Sequence, residues 1–274
     1  MVETMPNATM DSIIRPVIDF VEDIPLKKAL TEAFEENKES IETIESFFSY
    51  IPEQKWDTEK MSLIFNSWKA SHLKMLGIYG LTCRLSRMAQ DHTGPAQLKL
   101  LDAASLNAET SYEDLGLDFD GETHAELYNQ MVSGFLNGDT WTLGKYTIPE
   151  ATHFKSWVYR NMVVEDIQEG LFTNMFSEIY NHGEYVMALN GFSEYLDKYS
   201  DLSPEEKSDA LTYIRAHIED DTEKEHFKVV VKALKAYSEV SDTPIDYNKG
   251  KEIFSQYLQK LSNVMSELKT QLAA

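Results

Sequence analysis

Carboxylates and imidazoles, the side chains that bind transition metals, recur together in three segments of this sequence. The richest reads TYIRAHIEDDTEKEHFKVVVKAL: His217 and Asp221 are four apart on one helical face, and Glu223 and His226 are three apart. Helices that offer Glu and His at such spacing build diiron sites inside bundles. Imidazole with carboxylate suits iron, manganese or zinc better than magnesium or calcium. The competing reading is that IEDDTEKE is a solvated charge run. In NMVVEDIQEGLFTNMF, Glu165 and Glu169 are four apart and so share one helical face. Val163, Val164, Ile167, Leu171 and Phe172 surround them, and a carboxylate buried there is costly unless a partner such as a metal ion meets it. Glu165 reads as solvent-facing. In SLNAETSYEDLGLDFDGETHAELYNQM, Glu113 closes one helix and His124 opens the next, across a turn that can bring the two together although they are eleven positions apart. Taken alone, Asp118, Asp120 and Glu122 in that turn read as a solvated loop and a helix cap.

Other chemistries find less support. The chain has no Gly-rich phosphate loop, no nucleophile elbow and no cysteine cluster for zinc or iron–sulfur. Cys83 stands in GLTCRLSRM, an apolar helical context that reads as core. His72, His92, His153 and His182 stand apart from obvious carboxylate partners and are assigned to structure, and the tryptophans and tyrosines fall at helical spacing and read as core.

The elements that must position these groups are helical. Apolar residues recur at three- and four-residue steps from Met61 to Ala89, with Gly77 and Gly80 inside the run as marks of a bend or a close helix contact. Further helices are expected at 13–21, 25–50, 97–108, 122–136, 150–181, 185–199, 204–237 and 250–272. Pro149 and Pro204 sit where helix starts accept proline, and Ser203 is placed to cap the latter. The stretch 140–148 reads as a long loop. With short breaks and no linker or repeat, residues 1–274 are expected to form one all-α domain.

Composition narrows the partners. Twenty-five basic against 46 acidic residues give a formal charge of −21, a field that repels nucleic acid and anionic membrane surfaces. Cys83 is the single cysteine, so no intrachain disulfide can form, in keeping with a reducing cytoplasm. The first residues show no basic region ahead of an apolar run, and no stretch is apolar for long enough to suggest a membrane span. A cytoplasmic location is the expectation.

Taken in order, the three segments resemble the haem-oxygenase-like diiron oxidases and oxygenases. The resemblance rests on Glu113, Gly116, His124 and the continuation Ala125–Glu126–Leu127–Tyr128, on Glu169 followed by Met175 and Phe176, and on His217 with Asp221. It spans Ser105 to Leu234. It implies a haem-oxygenase-like bundle of about seven core helices plus N-terminal helices. It also implies two ferrous ions, Fe(II), per chain, with dioxygen as co-substrate, held by Glu113, His124, Glu169, His217, Asp221 and His226. The family's commonest spacing places a histidine at Lys224, where this chain has none; the nearest is His226. A helical bulge could realign it, Glu223 or Glu225 could replace it, or the second metal position is degraded. Family members carry out N-oxygenation, desaturation or C–C cleavage, so the resemblance implies a biosynthetic oxidation of a small amino-acid-like or amine substrate. An external electron donor and a homodimer are compatible with it. Two rivals stand beside it: a metal-free thiaminase-like or quinone-cofactor-forming enzyme on the same bundle, for which Cys83 is the one candidate nucleophile, and an acidic helical interaction protein without catalysis.

Overall fold

Helices here begin where a side chain can take up the first free backbone N–H groups. Thr9, Asp23, Thr123, Asp166, Ser203 and Asp246 each accept such a bond, the usual remedy for the unpaired donors of a first turn. The structure, a computed structural model, describes residues 5, 7–72, 74–112, 115–117, 121–218, 222–241 and 243–274. Its helices are α1 (Met10–Asp19), α2 (Ile24–Glu36), α3 (Lys38–Tyr50), α4 (Thr58–His72), α5 (Met75–Gln90), α6 (Pro95–Glu109) and α7 (His124–Ser133). They continue as α8 (Pro149–Val163), α9 (Ile167–Tyr199), α10 (Pro204–Ala210), α11 (Thr212–Ala216), α12 (Thr222–Ser238) and α13 (Tyr247–Ala273). No strand occurs among the described residues.

Several expected helices are cut differently. The 25–50 segment divides at Asn37, a buried residue whose amide donates to Ala33 O (2.7 Å) while its carbonyl accepts from Gln259 Nε2 (2.9 Å). The Met61–Ala89 run divides before Lys74, and Gly77 serves a close helix contact: a Cβ there would stand 2.6 Å from Met162 Sδ. The expected break near residues 182–184 is absent. Gly183 lies inside α9, where a Cβ would meet Ile14 Cδ1 at 2.9 Å, so it admits α1 rather than turning the chain. The break falls instead between Val163 and Ile167. There Arg84 donates to the carbonyls of Met162 and Glu165, and Asp166 caps α9 through Gln168 N (2.8 Å). Glu165 and Glu169 therefore do not share a helix. The 204–237 segment forms α10, α11 and α12, with His217 at the end of α11. Short 3₁₀ turns occupy 140–142 and 144–146 within the expected loop.

Helix α9 runs through the middle. Its 33 residues are buried around most of the circumference, the pattern of a helix surrounded by others. Helices α1, α3, α5, α8, α11, α12 and α13 pack on it. The buried apolar side chains form one contiguous cluster extending from Met10 to Leu272. No helix among the described residues is long and apolar enough to cross a membrane.

Candidate metal centre

A central helix buried on all sides places any carboxylate it carries inside the core. Glu178 and Glu184 on α9 are 1% and 0% exposed, and at that depth each must be met by donors or a counter-charge. Glu184 is met by Trp68 Nε1 (3.1 Å) and His72 Nε2 (2.7 Å) at the end of α4. The other ring nitrogen, His72 Nδ1, lies 2.8 Å from Trp68 O. Ser71 Oγ also lies 3.2 Å from Nδ1, so the ring is held on both sides. His72 thus has a carboxylate partner after all, supplied from 112 positions away.

Glu178 faces an ammonium and an imidazole. Its Oε1 accepts from Lys74 Nζ at 2.8 Å, and its Oε2 lies 3.6 Å from His226 Nδ1. Burial alone would raise this carboxyl's pKa; the Lys74 ammonium and His226 outweigh it and hold the group well below the usual carboxylate range. Glu223, in the first turn of α12, is 3% exposed and completes the group. One donor atom each from Glu178, Glu223 and His226 lie within 4.8 Å of one another. Donors bound at about 2.1 Å to one ion stand no more than about 4.2 Å apart, so a contraction of about half an ångström would gather all three on a metal. Two carboxylates and an imidazole in a buried site suit Fe(II), Mn(II) or Zn(II).

His217 adjoins this group, its Nε2 3.9 Å from Glu223 Oε1. Burial and then the neighbouring His124 depress its pKa well below that of a free histidine, so the ring is neutral. Its Nδ1 lies 2.7 Å from Tyr213 O and must donate to it, which leaves the Nε2 lone pair on the side of Glu223. The Tyr185 ring stacks on His217 at 4.0 Å, the His124 ring lies 4.5 Å away, and the Tyr185 and Tyr213 hydroxyls pair at 3.0 Å. A cavity of about 70 Å³ opens beside them, lined by His72, Lys74, Met75, His124, Tyr128 and Tyr213.

Of the residues expected as ligands, the structure brings His226 together with Glu178 and Glu223, and sets His217 and His124 alongside. Glu113 and Asp221 lie outside the described residues. Glu169 is not brought to the group: it sits in the first turn of α9, nine residues before Glu178, or about 13 Å along the helix axis. Glu165 lies in the break before α9 and pairs with Arg160 at the surface. Lys224, where the family spacing asks for a histidine, faces the opposite way and lines an outer groove with Phe20, Phe227 and Lys228. Cys83 is exposed rather than core, because α5 buries Ile78, Leu81 and Leu85 on another face.

The Glu223–x–x–His226 spacing was legible in the sequence. Glu178 was not singled out, although an acid within the apolar run LFTNMFSEIY was a signal that it needs a partner.

No protein-family profile matches this chain, and no curated protein matches it. Among solved structures, a TenA homologue from Pseudomonas syringae pv. tomato str. DC3000 superposes with a TM-score of 0.63. The match covers 89% of this chain and 93% of the other at 10% sequence identity. At that identity the likeness shows the fold alone, an all-α bundle like that of the TenA homologue.

Proposed function

We propose that the chain is a non-haem, iron-dependent oxidase or oxygenase acting on a small metabolite. The observation that carries this reading is the buried group of Glu178, Glu223 and His226, whose donor atoms lie within 4.8 Å of one another in the middle of a helical bundle. Those three residues would hold the ion. Bound ferrous iron supplies the electrons and the open coordination position through which dioxygen reacts.

The remaining side chains have work of their own. His217 offers a neutral nitrogen beside Glu223. His72, hydrogen-bonded to Glu184, lines the cavity wall, where an imidazole can exchange a proton with a bound substrate. Tyr185 and Tyr213 pack on His217, and Tyr128 packs on Tyr213, which makes the surroundings of that histidine aromatic. The substrate reading that goes with this centre is an amine or amino-acid derivative, with an external donor returning the iron to the ferrous state. A thiaminase-like reaction would need a nucleophile in the cavity, and Cys83, the one cysteine of the chain, is exposed and does not line it.

The test is anaerobic loading with Fe(II), counting bound iron, in the unaltered protein and in Glu223→Gln and His226→Ala. Iron binding should weaken at least about tenfold in both variants while helical circular dichroism is retained, and dioxygen uptake should follow the bound iron. An unaltered protein that binds no iron, or variants that bind it equally well, would refute the reading.

A further inference from the structure

We propose that Lys74 is a built-in cation that holds one oxygen of Glu178, so that the centre takes a single divalent metal ion where a paired-metal site would take two. The proposal rests on the metal-centre reading given above. Lys74 lies between α4 and α5, and its side chain, 15% exposed, runs inward against α9. Its ammonium donates to Glu178 Oε1 at 2.8 Å and to Ser177 Oγ at 3.0 Å. With the Asn181 amide oriented so that both its ends are satisfied, its oxygen lies 3.0 Å from Lys74 Nζ and its nitrogen 3.1 Å from Ser177 O. These three oxygens can take the three protons of the ammonium. Lys74 is therefore seated by α9 and not held by Glu178 alone.

Carboxylates of paired-metal centres in helical bundles commonly bridge, one oxygen to each ion. Glu178 has the position for that role, on the central helix with one oxygen on an ammonium and the other towards an imidazole. Oε1 is on the ammonium, and Oε2 faces His226 and the donor group that includes Glu223. The bridge thus joins an ammonium and one metal position. A second divalent ion at Oε1 would have to unseat Lys74 from Ser177 and Asn181 as well, or lie against its charge in a buried place. The charge of Lys74 also opposes the first ion, so its removal should tighten metal binding.

The experiment is a Mn(II) titration of chelator-stripped protein, with free Mn(II) read by electron paramagnetic resonance, on the unaltered chain, Lys74→Met and Lys74→Arg. The unaltered chain should bind one Mn(II). Lys74→Met should bind it at least about tenfold more tightly, and Lys74→Arg should keep the unaltered affinity. Two tightly bound ions in the unaltered chain would overturn the proposal, and so would unchanged or weaker binding in Lys74→Met. The count on the unaltered chain decides even if Lys74→Met fails to fold. Absence of Mn(II) binding in every form would overturn the metal-centre reading itself, and this proposal with it.

Discussion

The ion pair between Lys74 and Glu178 can be examined without any metal, by a double-mutant cycle on chelated protein. Glu178 is 1% exposed and Lys74 15%, so removing one partner deprives the other of its direct counter-charge in the core. Lys74→Met and Glu178→Leu should each cost about 3–5 kcal/mol, whereas the double variant, which buries two apolar chains of similar size, should cost much less. At about 2–4 °C per kcal/mol for a chain of this size, each single variant should melt roughly 6–20 °C lower. Urea unfolding at pH 7.5 with chelator reads the midpoints, and the slope should not change among the variants. The pH dependence has a definite sign. The Glu178 carboxyl is depressed in the folded state relative to its ordinary value of 4.5, so its contribution is complete above about pH 5 and fades as pH falls below the unfolded value. The coupling energy should therefore shrink in acid. Two penalties that simply add, with a coupling inside about 0.5 kcal/mol, would refute the buried pair.

Three further outcomes separate this centre from the one expected on sequence. Glu169→Ala should leave Mn(II) affinity within about twofold, because Glu169 lies about 13 Å along α9 from Glu178, whereas Glu178→Ala should weaken it at least about tenfold; the same titration reads both. Cys83→Ser should change unfolding free energy by less than about 0.5 kcal/mol and leave iron content unaltered, since Cys83 is exposed. Gly191→Ala should destabilise by about 1–3 kcal/mol in thermal melts, because a Cβ there would stand 2.4 Å from the backbone oxygen of Phe48, which cannot swing aside like a flexible side chain.

Some of the centre was legible in one dimension. Glu223 and His226 lie three residues apart, and any helix through both puts them on one face, so the spacing carried its meaning without the fold. The neutral ligand-like state of His217 was not legible, because it depends on Tyr213 O, His124 and the burial that the assembled bundle imposes. The place of Glu178 was not legible for a similar reason, with Glu169 on the same helix. Both are acids in apolar runs of one helix, and nothing local says which turn meets α12. His72 looks isolated in the sequence because Glu184 is 112 positions away, and nothing local marks Lys74, whose partner Glu178 is 104 positions away.

The amino-acid sequence by itself determined that this is an all-helical chain, since helical periodicity, capping side chains and prolines at helix starts act within a few residues. It also determined the acidic surface and the Glu–x–x–His pair at the head of α12. The tertiary structure decided which carboxylate of α9 meets that pair, which histidines stand beside it, and that a lysine reaches in against it. The physical reason is that burial and charge pairing depend on which helix faces are pressed together, and that is set by packing across the whole bundle rather than by the spacing of neighbours along the chain.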